Sequence, residues 1–142
     1  MLKGIPSILS PELLKILMEM GHGDEIVIAD GNFPSESMGQ RVVRLDGHGV
    51  PEILDAILKF LPLDTYSVKQ VALMKVVKGD PTVPVIWDTY KEVIKKNEGD
   101  KAIEEVERFA FYDRAKEAYA VVATGETALY ANIILKKGVV VE

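Results

Sequence analysis

Acid–base work on a small polar ligand needs a group that exchanges protons near neutral pH, a carboxylate, and neutral or cationic groups that grip oxygen atoms. This sequence offers all three. His22 stands between Gly21 and Gly23, so its backbone is free to turn and its imidazole is uncrowded. Asp30 closes an apolar run, Ile26-Val27-Ile28-Ala29, and is followed by Gly31-Asn32. One short strand is thus flanked by two titratable groups. Arg108 lies among aromatic residues, Phe109, Phe111 and Tyr112. It is permanently charged, hence a poor proton carrier but a good donor to oxygen. Tyr130-Ala131-Asn132, between a turn and a final apolar run, adds a phenol and a carboxamide, the neutral donors and acceptors that suit hydroxyl-rich ligands. Tyr112 and Tyr130 are both candidates to relay a second proton.

Other chemistries fit poorly. His22 and His48 have no histidine or cysteine partner at ligand spacing, so no metal site is expected. Gly21-His22-Gly23 lacks the further glycine of a phosphate-binding fingerprint and precedes a strand instead of following one. There is no cysteine, and no Gly-x-Ser-x-Gly elbow to raise a nucleophile. A net charge of −5 argues against a nucleic-acid backbone as partner. No apolar run reaches the roughly 18 residues of a membrane span, and no signal peptide is legible. The absence of cysteine is compatible with a reducing compartment, and the expectation is a cytoplasmic protein.

The elements that must position these groups can be read from spacing. Ser10-Pro11 opens a helix with Leu13, Leu14, Leu17 and Met18 on one face, and Gly21 follows its end. After the first strand, residues 31–50 form a long connection, with Arg41 to Leu45 as a short edge strand. Pro51 opens a second helix, Val71 to Val77 reads as a strand, and Val85 to Lys96 as a third helix stopped by Gly99. Val106 to Phe111 alternates like a strand, Asp113 to Tyr119 reads as a short helix, Ala120 to Ala123 as a buried strand, and Asn132 to Lys136 as the last strand. Strands alternating with helices predict an α/β fold, a three-layer αβα single domain over residues 1–142 with a largely parallel sheet. Ligands bind such sheets at the strands' carboxyl ends, where Asp30 sits.

Gly21 to Glu25, Asp30 with Phe33-Pro34, Ser37-Met38-Gly39, Arg108 to Tyr112, and Thr124-Gly125-Glu126 through Tyr130 to Gly138 together resemble the superfamily of the fucose mutarotases and D-ribose pyranases. The likeness runs nearly end to end. It implies cofactor-free interconversion of the α and β anomers of L-fucopyranose, with ribose pyranase activity or a non-catalytic sugar-binding role as alternatives. By the same resemblance His22 is catalytic and Asp30, Arg108, Tyr130, Ala131 and Asn132 bind substrate, and Tyr112 is the expected second catalytic residue, with Tyr130 the other phenol that could relay the proton. Tyr112 falls where the ribose enzymes carry a histidine, which favours the fucose branch. The resemblance also implies a ring-shaped homo-oligomer, typically a decamer, in which a neighbour's residues complete each pocket.

Overall fold

The computed structural model describes every residue from 1 to 142. Six strands form one sheet: β1 (Glu25–Ala29), β2 (Val42–Leu45), β3 (Val71–Met74), β4 (Ile103–Val106), β5 (Ala120–Thr124) and β6 (Ile133–Lys136), in the order β2-β5-β1-β6-β3-β4. β1 pairs with β5 in parallel, as do β2 with β5 and β3 with β4. β6 lies between β1 and β3 and is antiparallel to both, so five strands run one way and one central strand returns. The largely parallel sheet expected from the alternation is present, and β2 is an edge strand as predicted. Reversal of β6 follows from the connection after β5, too short to hold the crossover helix that a parallel neighbour requires.

Helices cover both faces, giving the expected three layers. On one side α1 (Pro11–Glu19), α3 (Val50–Leu58) and α4 (Ile86–Glu98) bury Leu13, Leu17, Ile53, Ile57, Tyr90 and Ile94 against Ile26, Ile28, Leu73 and Ile133. α1 starts where the sequence says it should, with the Ser10 hydroxyl accepting the Leu13 N–H at 3.2 Å and proline in the first turn. Truncating one of these buried leucines to alanine costs about 2–5 kcal/mol. On the other side α2 (Ser35–Met38) and α5 (Arg108–Glu117) make a thinner layer, in which Phe33, Phe111 and Ala115 meet Val27, Ala29, Ala72 and Ile134.

One expected strand is a helix. Val106 ends β4, and Arg108 to Phe111 form the first turn of α5. The alternation of Phe109 and Phe111 imitated a strand, but the Glu107 carboxylate accepts the N–H groups of Phe109 and Ala110 at 2.9 and 3.0 Å and so caps a helix. Phe111 and Ala115, one turn apart, then face the sheet. This correction matters for the site, because helical spacing stacks Arg108 and Tyr112 on one face.

Candidate active site

β1 carries functional groups at both ends. Upstream of it, Gly23 adopts a left-handed φ of 87°, while the Gly21 N–H donates to the Asp24 carboxylate at 2.7 Å. The Gly23 N–H also reaches the Lys137 carbonyl at 2.8 Å, tying this turn to the end of β6. His22 projects from it, with Nε2 at 2.9 Å from Asp64 Oδ1 and its ring 5.2 Å from that of Tyr66. Asp64 is only 2% exposed and also accepts the N–H groups of Tyr66 and Ser67 and the Ser67 hydroxyl. The Ser67 hydroxyl above all, and then His22, hold its carboxyl far below the usual carboxylate range. An ionised carboxylate only accepts, so Nε2 must carry a proton and Nδ1 is the nitrogen free to take one. With 45% of its side chain exposed, the His22 ring is oriented by Asp64 and open to the outside.

Downstream of β1 the groups converge on a recess of about 330 Å³, within the range of small-ligand sites. Asp30 forms its floor at 6% exposure. Its carboxylate accepts the Asn32 N–H at 3.0 Å and the Ala131 N–H at 3.3 Å, and its own N–H donates to the Asn132 side-chain carbonyl at 2.8 Å. Burial outweighs those donors and pushes the Asp30 carboxyl above its ordinary range. From α5, Arg108 Nε–H donates to the Tyr112 hydroxyl at 3.1 Å, and the guanidinium lies 5.4 Å from that ring's centre. Phe33, Met74, Val77 and Leu129 supply apolar walls.

Tyr130 enters the recess on a backbone that a tyrosine rarely adopts, with φ of 55°. Such strain costs about 1–3 kcal/mol and persists only where the surroundings enforce it. Here they do. Trp87 Nε1–H donates to the Tyr130 carbonyl at 2.7 Å, and the buried Tyr90 hydroxyl donates to the Ala131 carbonyl at 2.6 Å. Further back, the Glu126 carboxylate takes the Val50 and Ala128 N–H groups at 3.1 Å each. Gly125 is packed so closely that a Cβ would lie 2.0 Å from the Asp46 carbonyl.

The sequence matches the RbsD / FucU transport protein family over residues 3–140. It is 56% identical to a fucose mutarotase of Danio rerio, across 98% of this chain and 94% of that protein. An L-fucose mutarotase of Actinobacillus pleuropneumoniae is 53% identical, with 98% and 97% covered. The crystal structure of the fucose mutarotase of Streptococcus pneumoniae in complex with L-fucose superposes with a TM-score of 0.95, at 57% identity over 99% of this chain and all of that one. The chain belongs to the RbsD / FucU family.

Of the residues singled out by sequence, this family member gathers Asp30, Arg108, Tyr112, Tyr130 and Asn132 in one recess. Ala131 is fully buried; its N–H goes to Asp30 and its carbonyl to Tyr90, so it fixes the floor from beneath. Phe33 lines the recess, whereas Met38 packs into the core behind it. His22 is elsewhere. The five residues of β1 alone place it about 16 Å from Asp30, at ~3.3 Å per residue. His48 pairs with Glu52 at the start of α3 at 3.2 Å and does not line the recess. Asp64, Asp80, Trp87 and Tyr90 were not singled out. The first two carried only turn signals, an aspartate followed within three residues by serine or threonine. No three His, Cys, Asp or Glu side chains meet at metal-ligand spacing, and no helix is long and apolar enough to cross a membrane.

Proposed function

We propose that this protein is an L-fucose mutarotase, interconverting the α and β anomers of L-fucopyranose by acid–base ring opening and reclosure. The carrying observation is the recess itself: a floor of buried carboxylate and carboxamide and a rim of phenols and guanidinium, in a chain more than half identical to fucose mutarotases along its length. Opening requires the anomeric O–H to lose its proton while the ring oxygen gains one. The C1–O5 bond breaks, the C1–O1 bond becomes a carbonyl, and rotation about C1–C2 offers the other face for reclosure. Protons and electron pairs balance without a carrier or a redox partner.

Asp30 accepts a sugar hydroxyl and Asn132 offers its amide N–H, while Arg108 holds Tyr112 beside the sugar. Tyr112 accepts from Arg108 and keeps its own proton, so of the two phenols it is the better donor to the ring oxygen. His22 Nδ1 is the partner base. Sixteen or so ångströms exceed the width of a monosaccharide, so in this reading His22 serves the recess of a neighbouring copy. Exposed Tyr66, Val68, Phe109, Leu129 and Val141 supply apolar surface for such an assembly, for which a decameric ring in the cytoplasm is proposed. Saturation transfer between the anomeric protons of L-fucose tests the function. Exchange should rise with protein, and faster than for D-ribose. No acceleration with L-fucose would refute the reading, and equal or faster ribose exchange would move the chain to the pyranase branch.

A further inference from the structure

Asp80 lines the recess, yet the reaction above gives it no task. It sits on the exposed segment after β3, where Gly79 turns the chain with φ of 89°. Its Oδ1 accepts the Thr82 N–H at 2.9 Å, and its Oδ2 accepts the phenolic proton of Tyr130 at 2.6 Å. The same phenol oxygen takes the Val77 N–H at 3.3 Å. A phenol has one proton to give and two lone pairs to offer. Tyr130 has spent its proton on Asp80 and retains acceptor capacity. Tyr112 accepts from Arg108 and has its proton to spare. Both phenols line one recess with opposite hydrogen-bond polarity.

We propose that Asp80 is a positioning residue that fixes Tyr130 as a hydrogen-bond acceptor, so that Tyr130 takes the proton of a sugar hydroxyl while Tyr112 remains the donor. This rests on the recess being the sugar site. Backbone and ring tip of Tyr130 are held independently, by Trp87 at the carbonyl and by Asp80 at the hydroxyl. The strained φ therefore survives loss of Asp80, and what changes is the direction in which the phenol bonds. A ligand hydroxyl facing Tyr130 must then be a donor. Fluorine in its place keeps the size but has no proton to give, and the pairing is lost. With Asp80 gone, the phenol can turn its own O–H toward the ligand.

The experiment titrates L-fucose and its 2-, 3- and 4-deoxyfluoro derivatives into wild type, Asp80→Ala, Asp80→Asn and Tyr130→Phe, and measures anomer exchange of the same sugars. In wild type, the fluorinated sugar substituted at the position facing Tyr130 should bind about 10-fold more weakly than L-fucose, the cost of an unpaired polar group. In Asp80→Ala and Tyr130→Phe that difference should shrink below about 3-fold, whereas Asp80→Asn, which keeps an acceptor for the phenol, should preserve it. Asp80→Ala should also raise KM more than it lowers kcat. In a ¹³Cζ-tyrosine titration the Tyr130 midpoint, identified by its loss in Tyr130→Phe, should fall in Asp80→Ala, because the neighbouring carboxylate holds the phenol up. A residue that only fastens the loop would weaken all sugars equally and leave their ratios unchanged. That result, a set of fluorosugar penalties of which none shrinks in Asp80→Ala, or an unmoved Tyr130 midpoint would overturn the assignment. Failure of wild type to bind or exchange L-fucose would instead overturn the sugar reading beneath it.

Discussion

Each end of β1 carries a buried aspartate, at 2% exposure for Asp64 and 6% for Asp30, yet their carboxyls are displaced in opposite directions. Asp64 is wrapped by a hydroxyl, two backbone N–H groups and an imidazole, and these donors outweigh its burial. Asp30 has two backbone donors, and burial outweighs them. Burial alone therefore does not set the state of a carboxylate; the number and kind of donors decide. The consequence is a division of labour. A firmly ionised Asp64 fixes the tautomer of a histidine at the surface, whereas a poorly solvated Asp30 has most to gain from the hydroxyl of an incoming ligand.

Removing the imidazole proposed as the base should break the upstream end outright. We expect His22→Ala to slow L-fucose anomer exchange by at least ~100-fold with the melting temperature within a few degrees of wild type, as befits a half-exposed turn residue. A large stability loss with full activity per folded molecule would reduce His22 to structure. Asp64→Asn should cost less, on the order of 10- to 100-fold, the scale seen when an outer partner of a metal-bound imidazole is lost. It carries a pH signature as well. Because the folded carboxyl is depressed, Asp64 contributes stability above its unfolded pKa of about 3.9, and that contribution drains away as pH falls further. Asp64→Asn should thus flatten the acid limb of the stability profile.

Asp30 has the opposite sign. Its raised folded pKa means that ionisation costs the fold, a cost complete above that pKa and absent below the unfolded value. Asp30→Asn should leave the acid limb unflattened and weaken L-fucose binding about 10-fold, with a smaller effect on saturated exchange. Identical acid limbs for the two variants would erase the contrast drawn between the ends. The smallest catalytic effect should come from Tyr90→Phe, which leaves the Ala131 carbonyl without its partner. Chemical denaturation should register a loss of about 1–3 kcal/mol while exchange changes by only a few-fold.

The sequence reached further at one end than at the other. α1, α3 and α4 announced themselves through apolar spacing, with proline in the first turn of α1 and α3 and glycine after α1 and α4, and Asp30, Tyr130 and Asn132 flank apolar strands where ligands gather. α5 was misread because two alternating phenylalanines outweighed a capping glutamate. The partnerships were invisible for a different reason. His22 meets Asp64 across 42 residues, and Tyr130 meets Asp80 across 50. Local periodicity carries no record of such pairs; they depend on β6 running backwards between β1 and β3, which brings the residue 62–64 segment and the His22 turn to the same edge.

The central claim is that one sugar is worked on by the recess of one copy and the His22 of another. Two variants, His22→Ala with an intact recess and Tyr112→Phe with an intact histidine, should each be nearly inactive. Co-expressed with different affinity tags and purified through both, they should recover roughly a quarter of the wild-type exchange rate with L-fucose, the share of randomly assembled sites that join two intact halves. Doubly tagged assemblies no more active than the two parents would contradict the shared site.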